Sequence, residues 1–169
     1  MLYDSQKFKL ANPKKLTPKQ YQQKAQEYFN QWYASANGFV KQFNYAFKDN
    51  ELNISAFQLH QATERYYTTV LLVFTDYRPK DHNLENLGIK VEMCDKQFDV
   101  FPKTTDEEKR LFELLKRAYI DARYKMDEYE ITKEELTYLA QQVNKLKILT
   151  ESICKAKITE IGEAKKQHL

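Results

Sequence analysis

The sequence predicts an all-α protein, an up-and-down antiparallel bundle of about five helices. The 169 residues include only 3 Gly and 4 Pro, and Lys, Glu, Gln, Leu and Ala are frequent, which is typical of long helices. The length is that of one domain with a core of its own. Five stretches carry apolar residues at spacings of three and four, and the short connections between them favour antiparallel neighbours.

The first 18 residues differ from the rest and are predicted to form an extended arm or linker. Their apolar residues alternate, and Asn12-Pro13 indicates a turn. Thr17-Pro18 then provides a helix N-cap followed by proline at the first helical position. A long first helix is expected from there, with one apolar stripe from Ala25 to Phe47, and Asp49-Asn50 is expected to end it.

The second predicted helix runs from Ile54 to Tyr77 and is the most apolar of the five. Two apolar stripes coexist along it, so we expect it at the centre of the bundle. Arg78-Pro79 is expected to stop it, because a residue before proline disfavours the helical conformation. A short third helix is predicted from Leu84, and Phe98 is the last apolar residue of its pattern.

Two capping boxes predict where the fourth and fifth helices begin. Thr105 with Glu108 starts the fourth, whose buried face runs through Ala122, and Thr132 with Glu135 starts the fifth. The bundle is expected to span residues 19–162, followed by a basic tail at 163–169.

Polar residues interrupt an apolar stripe of the second helix. His60 and Glu64 lie one turn apart on the same face, with Arg65 beside them. The spacing alone favours a buried histidine satisfied by the neighbouring carboxylate, since buried polar groups are normally hydrogen-bonded. The alternative is a polar pocket between helices.

Two further groups of cations are candidates for binding a phosphate. Arg78, Lys80 and His82 precede the third helix, whose N-terminal N–H groups can hold an anion, although a solvated basic turn fits equally well. Arg123 offers a planar fork to a carboxylate or phosphate. Its alternative is an ion pair with a nearby acid, namely Asp121, Asp127 or Glu128.

Composition disfavours several other functions. The formal charge of +3 is nearly balanced, so there is no strong nucleic-acid signal. Cys94 and Cys154 lie far apart, and no metal, cofactor or nucleophile motif is present, so we expect no metal, no cofactor and no disulfide framework. The longest apolar stretch, Val70 to Phe74, is far short of a membrane span, which favours a cytoplasmic protein.

Two long segments together resemble a known family, the HEPN domains (higher eukaryotes and prokaryotes nucleotide-binding). They are AFQLHQATERYYTTVLLVFTDYRPKDHNLENL and FPKTTDEEKRLFELLKRAYIDARYKMDEYEITKEELTYLA, and the likeness covers roughly residues 20–155. The resemblance implies an antiparallel bundle that commonly dimerises and has a polar cleft. The candidate ligand-binding residues are then His60, Glu64, Arg65, Lys80, His82, Arg123 and Tyr124.

The start of the chain adds a second resemblance. LYDSQKFKLANPKKLTP looks like the tail that follows the minimal nucleotidyltransferase domain in fused nucleotidyltransferase-HEPN proteins. The resemblance implies a module that binds a nucleotide or substrate, acts with a nucleotidyltransferase domain or subunit, and forms a homodimer.

Two alternatives remain open on sequence grounds. Ribonucleases of the family carry Arg and His separated by four to six residues, whereas only three separate Arg78 from His82. The sequence therefore favours a protein without catalytic residues over a toxin-like ribonuclease of a toxin-antitoxin pair that uses His82 or His60. The other alternative is a dimerisation scaffold without a ligand.

Overall fold

The computed structural model describes residues 15–164, and within them it is entirely helical. The helices are α1 (Pro18–Lys48), α2 (Leu52–Thr75), α3 (Leu84–Cys94), α4 (Asp106–Arg117), α5 (Asp121–Tyr124) and α6 (Lys133–Glu163), with a 3-10 turn at Lys96–Phe98. The predicted all-α bundle is confirmed. Residues 1–14 of the predicted arm and 165–169 of the predicted tail lie outside the described residues.

Helix α2 forms the centre of the bundle, as its two apolar stripes predict. It packs against α1, α3, α4, α5 and α6. Its core side chains, including Ala56, Tyr66 and Val70, are fully buried. Burial of each large apolar side chain contributes about 1.5–3 kcal/mol, so this helix anchors the rest.

Three of the helix starts are fixed by reciprocal capping. In each, a threonine side chain accepts a hydrogen bond from the third residue of the helix, whose own side chain accepts one from the threonine N–H. Such a cap is worth about 1 kcal/mol. The pairs are Thr17 with Gln20, Thr105 with Glu108, and Thr132 with Glu135.

Helix α2 begins two residues earlier and ends two residues earlier than predicted. Its last residue is Thr75, so the Arg78-Pro79 pair is not what stops it. Asp76 has a left-handed backbone, with φ of 57°. Its carboxylate accepts hydrogen bonds from Lys24 and Tyr28 of α1, at 2.8 and 2.9 Å. Contacts with α1 therefore hold the end of α2, which the local sequence does not show.

The fourth predicted helix is in fact two, α4 and α5. Ala118 and Ala122 are both buried, so the apolar pattern continues across the break and conceals it. At the break, the Tyr119 carbonyl accepts a hydrogen bond from the Arg123 side chain at 2.7 Å, while the Arg123 backbone N–H turns to Ile120 O at 3.1 Å. The break thereby fixes Tyr119 and Arg123 relative to each other.

Candidate functional site: a polar cluster beside the central helix

His60 is a buried, neutral histidine on α2. Its side chain is 1% exposed, and Nδ1 lies 2.9 Å from the carbonyl oxygen of Leu115. Because a carbonyl only accepts, Nδ1 carries the hydrogen and Nε2 is left as an acceptor. Burial lowers the pKa of His60 to about 4; the Leu115 hydrogen bond opposes this, and the nearby charges of His82 and Arg123 add to it.

Glu64 lies between two histidines and bonds to only one of them. Its Oε1 accepts a hydrogen bond from His82 Nδ1 at 2.9 Å. Its Oε2 is 3.8 Å from His60 Nε2, which is too long for a hydrogen bond, and both atoms are buried without a partner in the described part of the chain. The expectation that Glu64 satisfies His60 is therefore wrong, since the bond goes to Leu115 instead.

This arrangement leaves two buried acceptors facing each other. An unsatisfied buried polar atom costs about 1–3 kcal/mol, so the cluster is not optimised for stability. Such unpaired groups concentrate where a protein functions.

His82 lies at the edge of the cluster, half exposed to solvent. It stacks on Tyr119 at 5.5 Å between ring centroids with an interplanar angle of 8°, and its side chain is 57% exposed. Because Nδ1 donates to Glu64, its other nitrogen, Nε2, is an acceptor when the ring is neutral. The buried carboxylate thus sets the orientation of a histidine that a ligand can reach.

Arg123 supplies an exposed cation that rests on aromatic rings. Its guanidinium carbon rests on three aromatic rings: Phe57 at 4.6 Å, Tyr119 at 4.8 Å and Tyr124 at 4.9 Å. Across residues 15–164 it forms no ion pair. The predicted alternative of an ion pair is wrong, because Asp121 bonds to Arg117 at 2.7 Å.

The predicted phosphate corner before α3 is not formed. The guanidinium of Arg78 lies 4.6 Å from the Trp32 ring, His82 turns to Glu64, and exposed Lys80 has no ion pair or side-chain hydrogen bond to the described residues. The side chain of Asn83 already accepts the first N–H groups of α3. The three cations therefore diverge instead of surrounding one anion.

Arg65 and Tyr124 also have surroundings that the sequence does not reveal. Arg65 lies over Trp32 at 4.7 Å and Phe39 at 5.8 Å, and its buried Nε has no hydrogen-bond partner among the residues that the structure describes. It therefore belongs to a different group from its neighbour Glu64. Tyr124 is 74% exposed, and the Arg123 guanidinium lies over its ring at 4.9 Å.

Sequence reasoning missed Tyr119, the residue that joins the cluster. Tyr119 lies within the predicted fourth helix, and its ring contacts His60, His82 and Arg123 together. The four-residue spacing between Tyr119 and Arg123, which favours contact on a helix, was the available signal.

Two cavities differ in their relation to the cluster. One of about 370 Å³ adjoins it, with His82, Tyr119 and Arg117 among its lining residues. The other, about 420 Å³, is largely apolar and lies between the ends of α1, α2 and α6. The charged residues that line the second cavity pair with one another, Lys24 with Asp76 and Lys157 with Glu160. Arg117 and Asp121, which both line the first cavity, are also paired with each other, at 2.7 Å. What distinguishes the first cavity is therefore its contact with His82 and Tyr119 of the cluster.

Residues 15–164 contain neither a metal-binding cluster nor a membrane-spanning helix. No group of three or more His, Cys, Asp or Glu side chains among residues 15–164 is placed to hold a metal ion. None of the helices found there combines the length and apolar character needed to cross a membrane.

The fold and the cluster define a class: an all-helical bundle with a polar, cation-containing site beside its central helix. The family profile for the HEPN domain matches residues 29–153, well over half of the chain. The chain therefore belongs to the HEPN domain family. The matched region contains every residue of the cluster. No individual curated protein matches the chain significantly.

Proposed function

We propose that the protein is a nucleotide-binding module whose site is the cluster of Glu64, His82, Tyr119, Arg123 and Tyr124. Membership of the HEPN family supports a nucleotide-binding or ribonuclease-type module. The observation that carries the proposal is the guanidinium of Arg123, which aromatic rings hold in place and which no carboxylate of residues 15–164 neutralises.

Each side chain of the site has a chemical counterpart in a nucleotide. Arg123 offers its N–H groups to a phosphate, for which the planar guanidinium is well suited. Tyr124 offers an exposed ring on which a base can stack. His82 adds a hydrogen-bonding group oriented by Glu64. His60 stays neutral behind them, so it does not compete with Arg123 for the anion.

The partners of the module belong to the same proposal. The resemblance of LYDSQKFKLANPKKLTP to the tail that follows a minimal nucleotidyltransferase domain supports action with such a domain or subunit. The family resemblance supports a homodimer. Both cysteines are free thiols, which is compatible with a cytoplasmic protein.

Thermal unfolding with and without ATP tests the site. We expect ATP to raise the melting temperature of the wild type, because a ligand at 100 times its Kd adds about 2.7 kcal/mol to the free energy of unfolding. Arg123→Gln should remove this shift while the unliganded protein stays folded. The matched control is Arg110→Gln, which removes the same charge from α4 and should leave the shift intact.

Two results would overturn the proposal. One is the absence of any shift in the wild type with ATP, GTP, CTP or UTP. The other is an equal loss of the shift in Arg110→Gln and Arg123→Gln, which would show that only net charge matters.

A second candidate, a toxin-like ribonuclease, is favoured by one specific observation. Glu64 accepts from His82 Nδ1 and leaves Nε2 to act as a base, and Arg123 contacts the same Tyr119 ring as His82. A base beside a phosphate-binding cation is what metal-independent RNA cleavage requires. Folding thus brings an arginine near a histidine although their sequence spacing does not follow the ribonuclease pattern.

Incubation of the purified protein with total RNA separates the two candidates. Cleavage by the wild type that is lost in His82→Ala and kept in His60→Gln would establish the ribonuclease. Intact RNA together with an ATP-dependent melting shift would establish the binding module.

A further inference from the structure

Two grooves run along α6 and meet at Lys145, which lines both of them. The first groove, of about 570 Å³, lies between α6 and the last turns of α1. The second, of about 490 Å³, lies between α6 and the segment 97–102. We propose that this face of α6 binds an extended peptide segment that carries an acidic residue, and that Lys145 binds the carboxylate of that residue.

The first argument is the state of Lys145. Its Nζ donates a hydrogen bond to Oε1 of Gln142 at 3.2 Å, and Gln142 is only 5% exposed, so a buried amide orients the ammonium. Lys145 forms no ion pair within residues 15–164, although Asp99 lines the second groove. Because an ammonium has three N–H donors, two remain for the carboxylate of a ligand.

The second argument is the polar wall of the first groove. Thr137, Gln141 and Asn144 lie on one face of α6, at spacings of four and three residues, and Asn44 of α1 lines the same groove. The three amides form no side-chain hydrogen bond with the described residues. A side-chain amide has the same kinds of donor and acceptor as a peptide group. The amides can therefore pair with the backbone of an extended peptide.

The third argument is the shape of this face. From Thr137 to Ile148 it extends about 16 Å along the helix axis, which is the length of about five extended residues. Both grooves have apolar walls. Phe43 and Phe47, with ring centroids 5.5 Å apart, line the first, and Ile148, which is 57% exposed, lines the second. Apolar residues on either side of the acidic residue therefore have a surface to contact.

These features favour a peptide over a nucleic acid. A base stacks on an exposed ring face, but Phe43 is 5% exposed and Lys133 Nζ lies over the Phe47 ring at 5.7 Å. Among the described residues that line the first groove, Lys145 is the only cation. One ammonium matches one carboxylate, whereas a nucleic acid presents a phosphate at every residue.

This inference goes beyond the proposed function, because no residue of the two grooves belongs to the Arg123 cluster. The two proposals can also fail separately. Lys145→Gln should leave the ATP-dependent rise in melting temperature intact, and Arg123→Gln should leave peptide binding intact.

Selection from a phage-displayed library of random pentapeptides on the full chain tests the site. We expect the enriched peptides to share Asp or Glu at one position. The affinity of the most enriched peptide, synthesised with blocked ends, is then measured by isothermal titration calorimetry. Replacement of its acidic residue by the corresponding amide should weaken binding about tenfold or more, the effect of losing a charge-assisted hydrogen bond, and so should Lys145→Gln. Both changes together should cost little more than one, because they remove the same contact.

Three further variants separate the site from general charge effects. Lys147→Gln is the matched control, because it removes the same charge from α6 at a position that lines neither groove, and it should bind like the wild type. Asn144→Ala should weaken binding about twofold to tenfold, the effect of losing a neutral hydrogen bond. Gln142→Glu gives Lys145 an internal carboxylate and should weaken binding as Lys145→Gln does. Circular dichroism checks its fold, and if Gln142→Glu does not fold, exposed Lys145 decides alone.

Several results would overturn the proposal. They are a library that yields no enrichment over Lys145→Gln, enriched peptides without a shared acidic residue, and an equal loss of affinity in Lys147→Gln and Lys145→Gln. Tighter binding of a single-stranded oligonucleotide of five thymidines than of the enriched peptide would assign the grooves to nucleic acid instead.

Discussion

The arginines of the chain fall into two groups with opposite surroundings. Those of the first group, Arg110 and Arg117 on α4, are paired with carboxylates of Glu107, Glu135 and Asp121. Those of the second group rest on aromatic rings without an acidic partner anywhere in residues 15–164. They are Arg65, Arg78 and Arg123.

The difference separates charges that serve the fold from charges that are available to a ligand. A carboxylate occupies the N–H edge of Arg110, so little remains for an anion. An aromatic ring covers only the face of a guanidinium. Arg123 Nε donates to the Tyr119 carbonyl at 2.7 Å, so its terminal N–H groups are the ones that remain for an anion. Among residues 15–164, His60 Nε2 and Glu64 Oε2 on α2 are also buried atoms without a hydrogen-bond partner, as are Gln58 Oε1 and Thr150 Oγ1.

Acid should destabilise the protein through His60, and this is the largest expected effect. Its pKa lies near 4 when folded and at 6.5 when unfolded, so the unfolded state binds the proton first. The free energy of unfolding is therefore highest above pH 6.5 and falls as the pH drops toward 4. The loss is about 3 kcal/mol.

Urea unfolding at pH 7 and pH 4 measures this loss, with His60→Gln as the reference. Glutamine can still donate to Leu115 O but does not titrate. The difference in stability between wild type and His60→Gln should shift by about 3 kcal/mol between the two pH values. If the difference in unfolding free energy between the two proteins is the same at both pH values, protonation of His60 does not destabilise the fold.

Substitution of Glu64 should give opposite results with two side chains of similar size. In Glu64→Gln the amide oxygen can accept from His82, as the carboxylate does. The amide N–H takes the place of the unpartnered Oε2 and can donate to His60 Nε2. We expect unchanged stability or a gain of about 1 kcal/mol. In Glu64→Met neither bond forms, and the variant should be less stable than Glu64→Gln by about 1–2 kcal/mol.

Chemical denaturation of both variants at pH 7 provides the measurement. Should Glu64→Gln prove as unstable as Glu64→Met, the carboxylate itself would be required. The two unpartnered acceptors would then not be a source of instability.

Salt should distinguish the two groups of arginines, with the smallest expected effect. Arg110→Gln removes surface ion pairs and should cost at most about 1 kcal/mol, less at high salt. Arg123→Gln removes ring contacts worth about 0.5–1 kcal/mol, and this cost should depend little on salt. Thermal unfolding at low and high sodium chloride compares the two variants. The same salt dependence in both would contradict the separation of carboxylate-paired from ring-bound arginines.

Much of the fold follows from local sequence signals. The capping boxes at Thr105 and Thr132 fixed helix starts correctly, and the two apolar stripes of α2 predicted its central position. The errors in the predicted helix ends arise from contacts that the local sequence does not show. Lys24 and Tyr28, remote in sequence, hold the end of α2 at Asp76, and a side-chain bond to the Tyr119 carbonyl breaks the fourth helix.

The site was less predictable than the fold, for a related reason. Sequence spacing placed His60 and Glu64 on one face of α2, but it could not show that Leu115 O bonds to His60. Nor could it show that Arg65 turns from Glu64 to Trp32 on α1. Such contacts depend on how helices pack, whereas spacing reports only on residues within one helix.

The separation of carboxylate-paired from ring-bound arginines is tested most directly by NMR spectra of the arginine Nε–H groups during a titration with ATP. Each of the five arginines gives its own signal, so both groups are observed at once. The account predicts that the Arg123 signal shifts in a saturable way while that of Arg110 stays in place. A shift of Arg110 with Arg123 unmoved, or no shift at all, would contradict it.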